Sequence, residues 1–153
     1  TELTSIINGQ IKKSKSFSIG SVRLLEGKVS KKSWNDMKEW IKSNANSVTG
    51  LKAIGSGGNI NKIASMLGKK KGKYVHYNGI KILLKKIEAK DFHQRITQFG
   101  LRPDRADVIV HASKIYLNCM NWSKSQKILV PQSGLADGII EQLYDNYKSV
   151  YKS

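Results

Sequence analysis

The sequence has one cysteine, two prolines and no long hydrophobic run in its 153 residues. Its single cysteine, Cys119, cannot form an internal disulfide, which fits a reducing compartment, and we expect a cytoplasmic protein. Without a long apolar run we expect no transmembrane span, and the start of the chain does not resemble a signal peptide. The length fits one domain, or a piece of a larger protein, with a real hydrophobic core.

Acidic residues are also scarce: 11 Asp and Glu stand against 27 Lys and Arg, giving a net charge of +16. This balance favours polyanionic partners such as nucleic acid, anionic lipid or polyphosphate, although a lysine-rich solvated surface explains it equally well. Lysine outnumbers arginine heavily, which favours diffuse attraction over bidentate recognition of bases or phosphates.

Motifs for metal binding and acyl hydrolysis are missing. The histidines His76, His93 and His111 have no ligand-like spacing with one another or with Cys119, so we expect no metal site built on them. No serine lies in a G-x-S-x-G pattern, which gives acyl hydrolysis no support.

The most informative segment that is present is glycine-rich and spans Leu51–Leu67 (LKAIGSGGNINKIASML). A short strand at Ala53–Ile54 leads into the turn Gly55–Gly58, and Asn59 opens a helix with an apolar stripe. Backbone N–H groups in such a turn can approach a phosphate closely, next to the positive end of the helix. The spacing is not that of a P-loop, and Ile60 replaces the third glycine of G-x-G-x-x-G. A tight structural turn remains the alternative.

The N-terminal third is predicted to be a hairpin followed by a helix. Asn8-Gly9 is a strong hairpin signal, with Gln10–Ile19 as the second strand. Ser21–Leu25 is expected to continue as strand or turn. A helix capped by Ser30 or Ser33 then ends near residues 44–46.

Helices and strands alternate in the rest of the chain. The predicted elements are a strand at 74–77, helices at 80–87 and 92–99, a long helix over 103–119, a strand at 127–131 and a final helix through Tyr147. The lysine-rich run Gly68–Lys73 is expected to be a solvated loop. This order is typical of an α/β domain with a mixed sheet.

Arg23 is the best individual candidate for a phosphate ligand, because a planar guanidinium suits bidentate anion contacts. A salt bridge between Arg23 and Glu26 is an equally good interpretation.

Taken together, four segments resemble one family, the exopolyphosphatase/guanosine pentaphosphate phosphohydrolase (Ppx/GppA) family. The segments are TELTSIINGQIKKSKSFSIGSVRLLE with a G-[AS]-V-R-L motif, the glycine-rich LKAIGSGGNINKIA, LRPDRADVIVHASKIY with an L-x-P-x-R-A-D-x-I motif, and KILVPQSGLADGII with a G-L-x-x-G turn. They occur in family order and cover nearly the whole chain.

The resemblance implies an actin-like ATPase (ribonuclease H-like) fold with a mixed sheet flanked by helices. Residues 1–153 would be the second, C-terminal lobe of a two-lobed enzyme, cut inside the family's D-x-G-G-G-S-x-E phosphate loop. The catalytic carboxylate of the family belongs to the other lobe, so we expect no catalytic residue in this chain.

The family's binding residues carry over by position. Those matching the phosphate-binding loop are Gly55, Ser56, Gly57, Gly58 and Asn59, joined by Arg23 from the G-S-V-R-L motif. Glu2 matches the motif glutamate implicated in binding Mg²⁺. Ala136 stands where many members have arginine, which puts that arginine's contribution to substrate binding in doubt here.

The resemblance further implies hydrolysis of a terminal phosphoanhydride, with inorganic polyphosphate or a guanosine polyphosphate (guanosine pentaphosphate) as substrate. Expected partners are the missing N-terminal lobe and, in a homodimer, a second copy. We expect the isolated chain to be inactive, because one lobe closes no cleft. The alternative is a catalytically silent regulatory module that binds polyanions or nucleic acid, supported by the net charge and by Gly68–Lys73. Scarce arginine and the lack of interleaved aromatics count against it.

Overall fold

The structure, a computed structural model, describes residues 1–45, 48 and 50–151. Five strands and eight helices are defined in these residues. The strands are β1 (Glu2–Ile7), β2 (Gln10–Ser16), β3 (Ala53–Ile54), β4 (Lys73–His76) and β5 (Lys127–Val130). The helices are α1 (Ser21–Leu25), α2 (Lys31–Ala45), α3 (Gly58–Met66), α4 (Tyr77–Glu88), α5 (Phe92–Phe99), α6 (Pro103–Ala106), α7 (Ile109–Trp122) and α8 (Leu135–Tyr151).

Strands β1 and β2 form the predicted antiparallel hairpin. Its turn uses Asn8 at φ 53° and Gly9 at φ 76°, the left-handed pair that a tight hairpin turn requires. The second strand is shorter than predicted and ends at Ser16 rather than Ile19. Phe17 and Ile19 leave the hairpin because both are buried in the core.

The other three strands form a separate mixed sheet in the order β3-β5-β4. Strand β3 runs parallel to β5, whereas β4 runs antiparallel to it. The single mixed sheet that the sequence predicts is therefore divided into two sheets in the described residues. One edge of β1 and one edge of β3 have no strand partner there, and these two edges carry unpaired backbone groups.

Local capping and stop signals predicted several helices correctly. The Ser30 hydroxyl accepts a hydrogen bond from the backbone N–H of Ser33 at 3.1 Å and so caps α2. Gly100 adopts the left-handed conformation that ends α5. Helix α2 ends at Ala45; Asn46, the far limit of its predicted end, lies outside the described residues.

Two predictions of secondary structure are wrong. Ser21–Leu25 is a short helix rather than a strand or turn. The predicted long helix from Pro103 is two helices, since α6 ends at Ala106 and α7 begins at Ile109. Helix α1 packs against α7, which is distant in sequence, and α6 packs mainly against α5.

Helix α7 lies between two hydrophobic clusters. Ile109, Val110 and Met120 of this helix belong to the larger cluster with α3, α4 and the three-stranded sheet. Ile115, on another face, joins a smaller cluster with α2 and the end of the hairpin. Helix α8, by contrast, exposes large apolar side chains: Ile139, Ile140, Leu143, Tyr144, Tyr147 and Val150. Within the described residues, no helix combines the length and apolar character needed to cross a membrane.

Candidate functional site

The glycine-rich turn connects β3 to α3. Gly57 has φ 107° and ψ 164°, a conformation essentially restricted to glycine. Helix α3 begins at Gly58, one residue earlier than predicted, and no side chain caps it. The backbone N–H groups of its first turn therefore have no side-chain cap. They lie at the N-terminal end of the helix, where the helix dipole favours an anion.

Gly55 is a glycine because of close packing. A β-carbon at this position would lie 2.7 Å from Cδ1 of Ile128 and 3.3 Å from Cγ1 of Ile60. Its backbone N–H also donates to the Leu129 carbonyl at 2.9 Å, which continues the pairing of β3 with β5. The turn is thus anchored to the sheet at its first residue.

Three long-range hydrogen bonds hold the turn. The Arg105 guanidinium donates to Oδ1 of Asn59 at 2.7 Å, and Nδ2 of Asn59 donates to the Ser21 hydroxyl at 3.4 Å. The Tyr116 hydroxyl donates to the Ser56 carbonyl at 3.2 Å. Arg105 and Tyr116 were not predicted as site residues, because their contacts with the turn join parts of the chain 46 and 60 residues apart.

A cavity of about 560 Å³ lies beside the turn. Glu2, Gly55, Ser56 and Asn59 line it, so the structure brings four of the predicted site residues to one cavity. Gly57, Gly58 and Arg23 are not among its lining residues. One wall is the whole of β1, another is the segment 51–56, and α7 contributes apolar side chains.

Arg23 lies in the last turn of α1 and is exposed. The alternative of a salt bridge to Glu26 is wrong, since Glu26 pairs with Lys28 at 2.9 Å. Burial lowers the pKa of the Thr1 amino group; Cys119 and Glu2 oppose this shift, and the Arg23 guanidinium adds to it. The Arg23 guanidinium makes no ion pair with a described residue.

Cys119 and Tyr116 also line this cavity. Burial raises the pKa of the Cys119 thiol to about 12, so the thiol stays protonated and unreactive at neutral pH. Burial, with a further effect of Cys119, raises the pKa of Tyr116 to about 12 and keeps its hydroxyl a donor to Ser56. In the part of the chain that the structure describes, no three His, Cys, Asp or Glu side chains cluster as metal ligands would.

Comparison of the sequence with known families is negative. No protein-family model matches the chain. No curated protein matches it significantly either.

Solved structures do match. A Ppx/GppA phosphatase from Aquifex aeolicus, in its type II variant, aligns with TM-score 0.71 and 21% identity, over 91% of this chain and 52% of its own. A second structure of the Aquifex aeolicus family member aligns with TM-score 0.73 and 22% identity, over 95% of this chain. The chain has the fold of about half of a Ppx/GppA protein.

An exopolyphosphatase from Cytophaga hutchinsonii has the same fold, with TM-score 0.74 and 19% identity over 95% of this chain and 54% of its own. The described chain thus spans about half the length of each of these structures. The resemblance that the four sequence segments indicate is confirmed at the level of the fold.

Proposed function

We propose that this chain is one lobe of a phosphoanhydride hydrolase that releases terminal phosphate from inorganic polyphosphate or from a guanosine polyphosphate. The observation that carries the proposal is the Ppx/GppA fold, matched over at least 91% of the chain by proteins that include an exopolyphosphatase. The glycine-rich turn of the second segment borders the cavity, which supports a binding role for this segment.

The glycine-rich turn is the proposed phosphate site. Phosphoryl transfer needs positioning and neutralisation of charge more than covalent chemistry from the protein. In this proposal the uncapped N–H groups at the start of α3 and the exposed Arg23 guanidinium of α1 supply both.

Glu2 is the proposed contribution of this lobe to a Mg²⁺ site. Its carboxylate borders the cavity, and Mg²⁺ is commonly held by one or two carboxylates together with substrate phosphates and water. When bound, the ion would neutralise charge on the phosphate oxygens. A single carboxylate fits a shared site, of which the remaining ligands come from substrate and from the rest of the enzyme.

The divided sheet supports the proposal that this lobe, actin-like in fold, is completed by further polypeptide. Strands β1 and β3 each have an edge without a strand partner in the described residues, and both strands line the cavity. A strand placed between them would pair with both edges and join the two sheets into one mixed sheet. We propose that the rest of a cytoplasmic two-lobed enzyme supplies this strand and the catalytic carboxylate, and that the whole enzyme forms a homodimer.

A binding titration tests the proposed phosphate site. The chain is titrated with a defined polyphosphate, duplex DNA and single-stranded RNA at several salt concentrations. We expect polyphosphate binding to survive salt that abolishes nucleic-acid binding, and to weaken about tenfold or more in Gly57→Val, whose φ no valine adopts without strain. Arg23→Ala should weaken it also, whereas Lys70→Ala, an equal loss of charge in the exposed lysine-rich loop, should not.

The alternative function is a catalytically silent module that binds polyanions or nucleic acid through diffuse charge. Its support is the net charge of +16 together with the exposed lysines at 69–71. Equal salt slopes for all three polyanions, with equal losses in Arg23→Ala and Lys70→Ala, would favour this alternative. In a phosphate-release assay we expect the isolated chain to be inactive, so sustained release by the chain alone would contradict the one-lobe proposal.

A further inference from the structure

Arg105 lies directly over the backbone of the glycine-rich turn. A β-carbon at Gly58 would be 2.7 Å from Nη2 of Arg105 and 3.2 Å from both Cζ and Nη1. Three guanidinium atoms at such similar distances mean that the guanidinium faces the Gly58 α-carbon at van der Waals range. A side chain at Gly58 would therefore displace the Arg105 guanidinium, whereas Gly57 has φ 107° and its β-carbon would meet nothing within 4 Å.

The same guanidinium holds the next residue of the turn. Its Nη1 donates to Oδ1 of Asn59 at 2.7 Å, a short charge-assisted hydrogen bond. The side-chain amide nitrogen of Asn59 in turn donates a hydrogen bond to the Ser21 hydroxyl at 3.4 Å. One asparagine therefore links α6 to α1, using an acceptor and a donor that neither aspartate nor leucine could provide together.

Competing partners of Arg105 are weak. Its ion pair with Asp104 is 3.7 Å long, and Asp104 is closer, at 3.1 Å, to Arg102. The Arg105 side chain is only 37% exposed, compared with 83% for Arg102. The contacts with Gly58 and Asn59 therefore fix the position of Arg105, and the contact with Asp104 does not.

We propose that Arg105 is the positioning residue of the glycine-rich turn. It covers Gly58 and orients Asn59, so that the first N–H groups of α3 keep one fixed arrangement next to the cavity. Its action on phosphate goes through the turn and not through its own charge. The use of the turn for phosphate rests on the proposed function, whereas the positioning itself does not.

The test compares Arg105→Ala and Arg105→Lys with Arg102→Ala in the same chain. Arg102→Ala is a matched control, because it removes an equal charge from the same segment without a contact to the turn. Amide hydrogen exchange, measured by NMR at Asn61, whose N–H donates to the Gly57 carbonyl of the turn at 3.2 Å, reports on positioning. We expect exchange there to accelerate about tenfold in both Arg105 variants and to be unchanged in Arg102→Ala. We expect Arg105→Lys not to restore the slow exchange, because lysine lacks the flat, forked donor group of arginine.

Gly58→Ala provides a second variant that needs no change at Arg105. Its φ lies outside the left-handed region, so alanine acts there by displacing the guanidinium and not by straining the backbone. We expect Gly58→Ala to accelerate exchange as Arg105→Ala does, and the double variant to exchange no faster than either single variant. Additive effects in the double variant, or unchanged exchange at Asn61 in Arg105→Ala, would overturn the proposal.

Titration with inorganic tripolyphosphate separates the positioning proposal from the proposed function. We expect affinity about tenfold lower in Arg105→Ala and Arg105→Lys, and nearly unchanged in Arg102→Ala. Equal losses in Arg105→Ala and Arg102→Ala, with lysine restoring affinity, would show that only charge matters and would overturn the proposal. If tripolyphosphate does not bind the wild-type chain while exchange still accelerates in the Arg105 variants, the positioning role stands and the proposed function fails.

Discussion

Trp34 of α2 and Trp122 of α7 meet edge to face, with ring centroids 5.9 Å apart and an interplanar angle of 75°. The pair lies at the margin of the smaller hydrophobic cluster, where both rings are half-buried. The contact connects α2 to α7, the helix between the two hydrophobic clusters. Since both helices also border the cavity, this contact helps to set the cavity's width.

A double-mutant cycle measures the Trp34–Trp122 contact. We expect Trp34→Leu and Trp122→Leu each to destabilise the chain by about 1–2 kcal/mol, because leucine keeps apolar bulk but loses ring area. The coupling between them should be about 0.5–1.5 kcal/mol, the range for such aromatic pairs. Urea unfolding of the four proteins gives these values. Additivity to within about 0.3 kcal/mol would show that the rings contribute independently.

Packing at the start of the glycine-rich turn predicts the effect of Gly55→Ala. The new β-carbon would lie 2.7 Å from Cδ1 of Ile128, in a buried position, so Ile128 has to move. We expect a loss of about 1–3 kcal/mol in the free energy of unfolding, as in other overpacked cores.

The partner residue allows a rescue of Gly55→Ala. Ile128→Val removes the clashing Cδ1 and should cost about 1 kcal/mol alone, but should recover part of the loss when combined with Gly55→Ala. Gly20→Ala is the control, because its β-carbon would meet nothing within 4 Å. If Gly20→Ala is as destabilising as Gly55→Ala, close packing does not explain the glycine.

Capping of α5 gives a prediction that depends on one side chain. Asp91 Oδ1 accepts from the Gln94 backbone N–H at 2.8 Å, and Gln94 Oε1 accepts from the Asp91 N–H at 3.2 Å. We expect Asp91→Ala to lower the free energy of unfolding by about 1 kcal/mol, because it leaves a helix N–H unsatisfied. Asp91→Asn keeps an acceptor and should cost much less. Equal losses in chemical denaturation would mean that charge and not the cap matters.

The sequence predicts those parts of the fold that depend on residues close together in the chain. Asn8-Gly9, the Ser30 cap and the Gly100 stop each act within one turn, and each has the predicted structure. The prediction for Ser21–Leu25 is wrong, because five residues are too few to show a clear helical or strand period. Its helix depends on packing against α7, which is distant in sequence.

In the candidate site too, the sequence predicts the local feature but not the long-range contacts. A glycine-rich turn before a helix is visible as a local pattern, and it is present in the structure. Arg105 could not be predicted as its partner, because the contact with Asn59 spans 46 residues and any of several arginines fits the pattern equally. Arg23 is a candidate from its own chemistry, whereas Glu2 comes from the resemblance to a family; the structure places Glu2 at the cavity and Arg23 outside its lining.

Ionisation of Cys119 predicts a loss of stability at alkaline pH. Burial raises the pKa of its thiol from an ordinary value of 9.0 to about 12 in the folded chain. Between these two values the unfolded thiol has released its proton while the folded one has kept it. The folded state then binds more protons, so stability falls as pH rises, by at most about 1.4 kcal/mol per pH unit for this group.

Cys119→Ser tests this account, since a hydroxyl of similar size does not ionise below pH 12. We expect urea unfolding at pH 8 to 11 to show a shallower decline of stability in Cys119→Ser than in the wild type, whatever the difference at pH 8. Some decline should remain, because the pKa of Tyr116 is also raised to about 12. Tyr116→Phe should remove part of that remainder, together with the hydrogen bond to Ser56. Identical pH slopes in wild type and Cys119→Ser would mean that the thiol ionises as readily in the folded chain as in the unfolded one, and that the cavity beside the glycine-rich turn admits water freely.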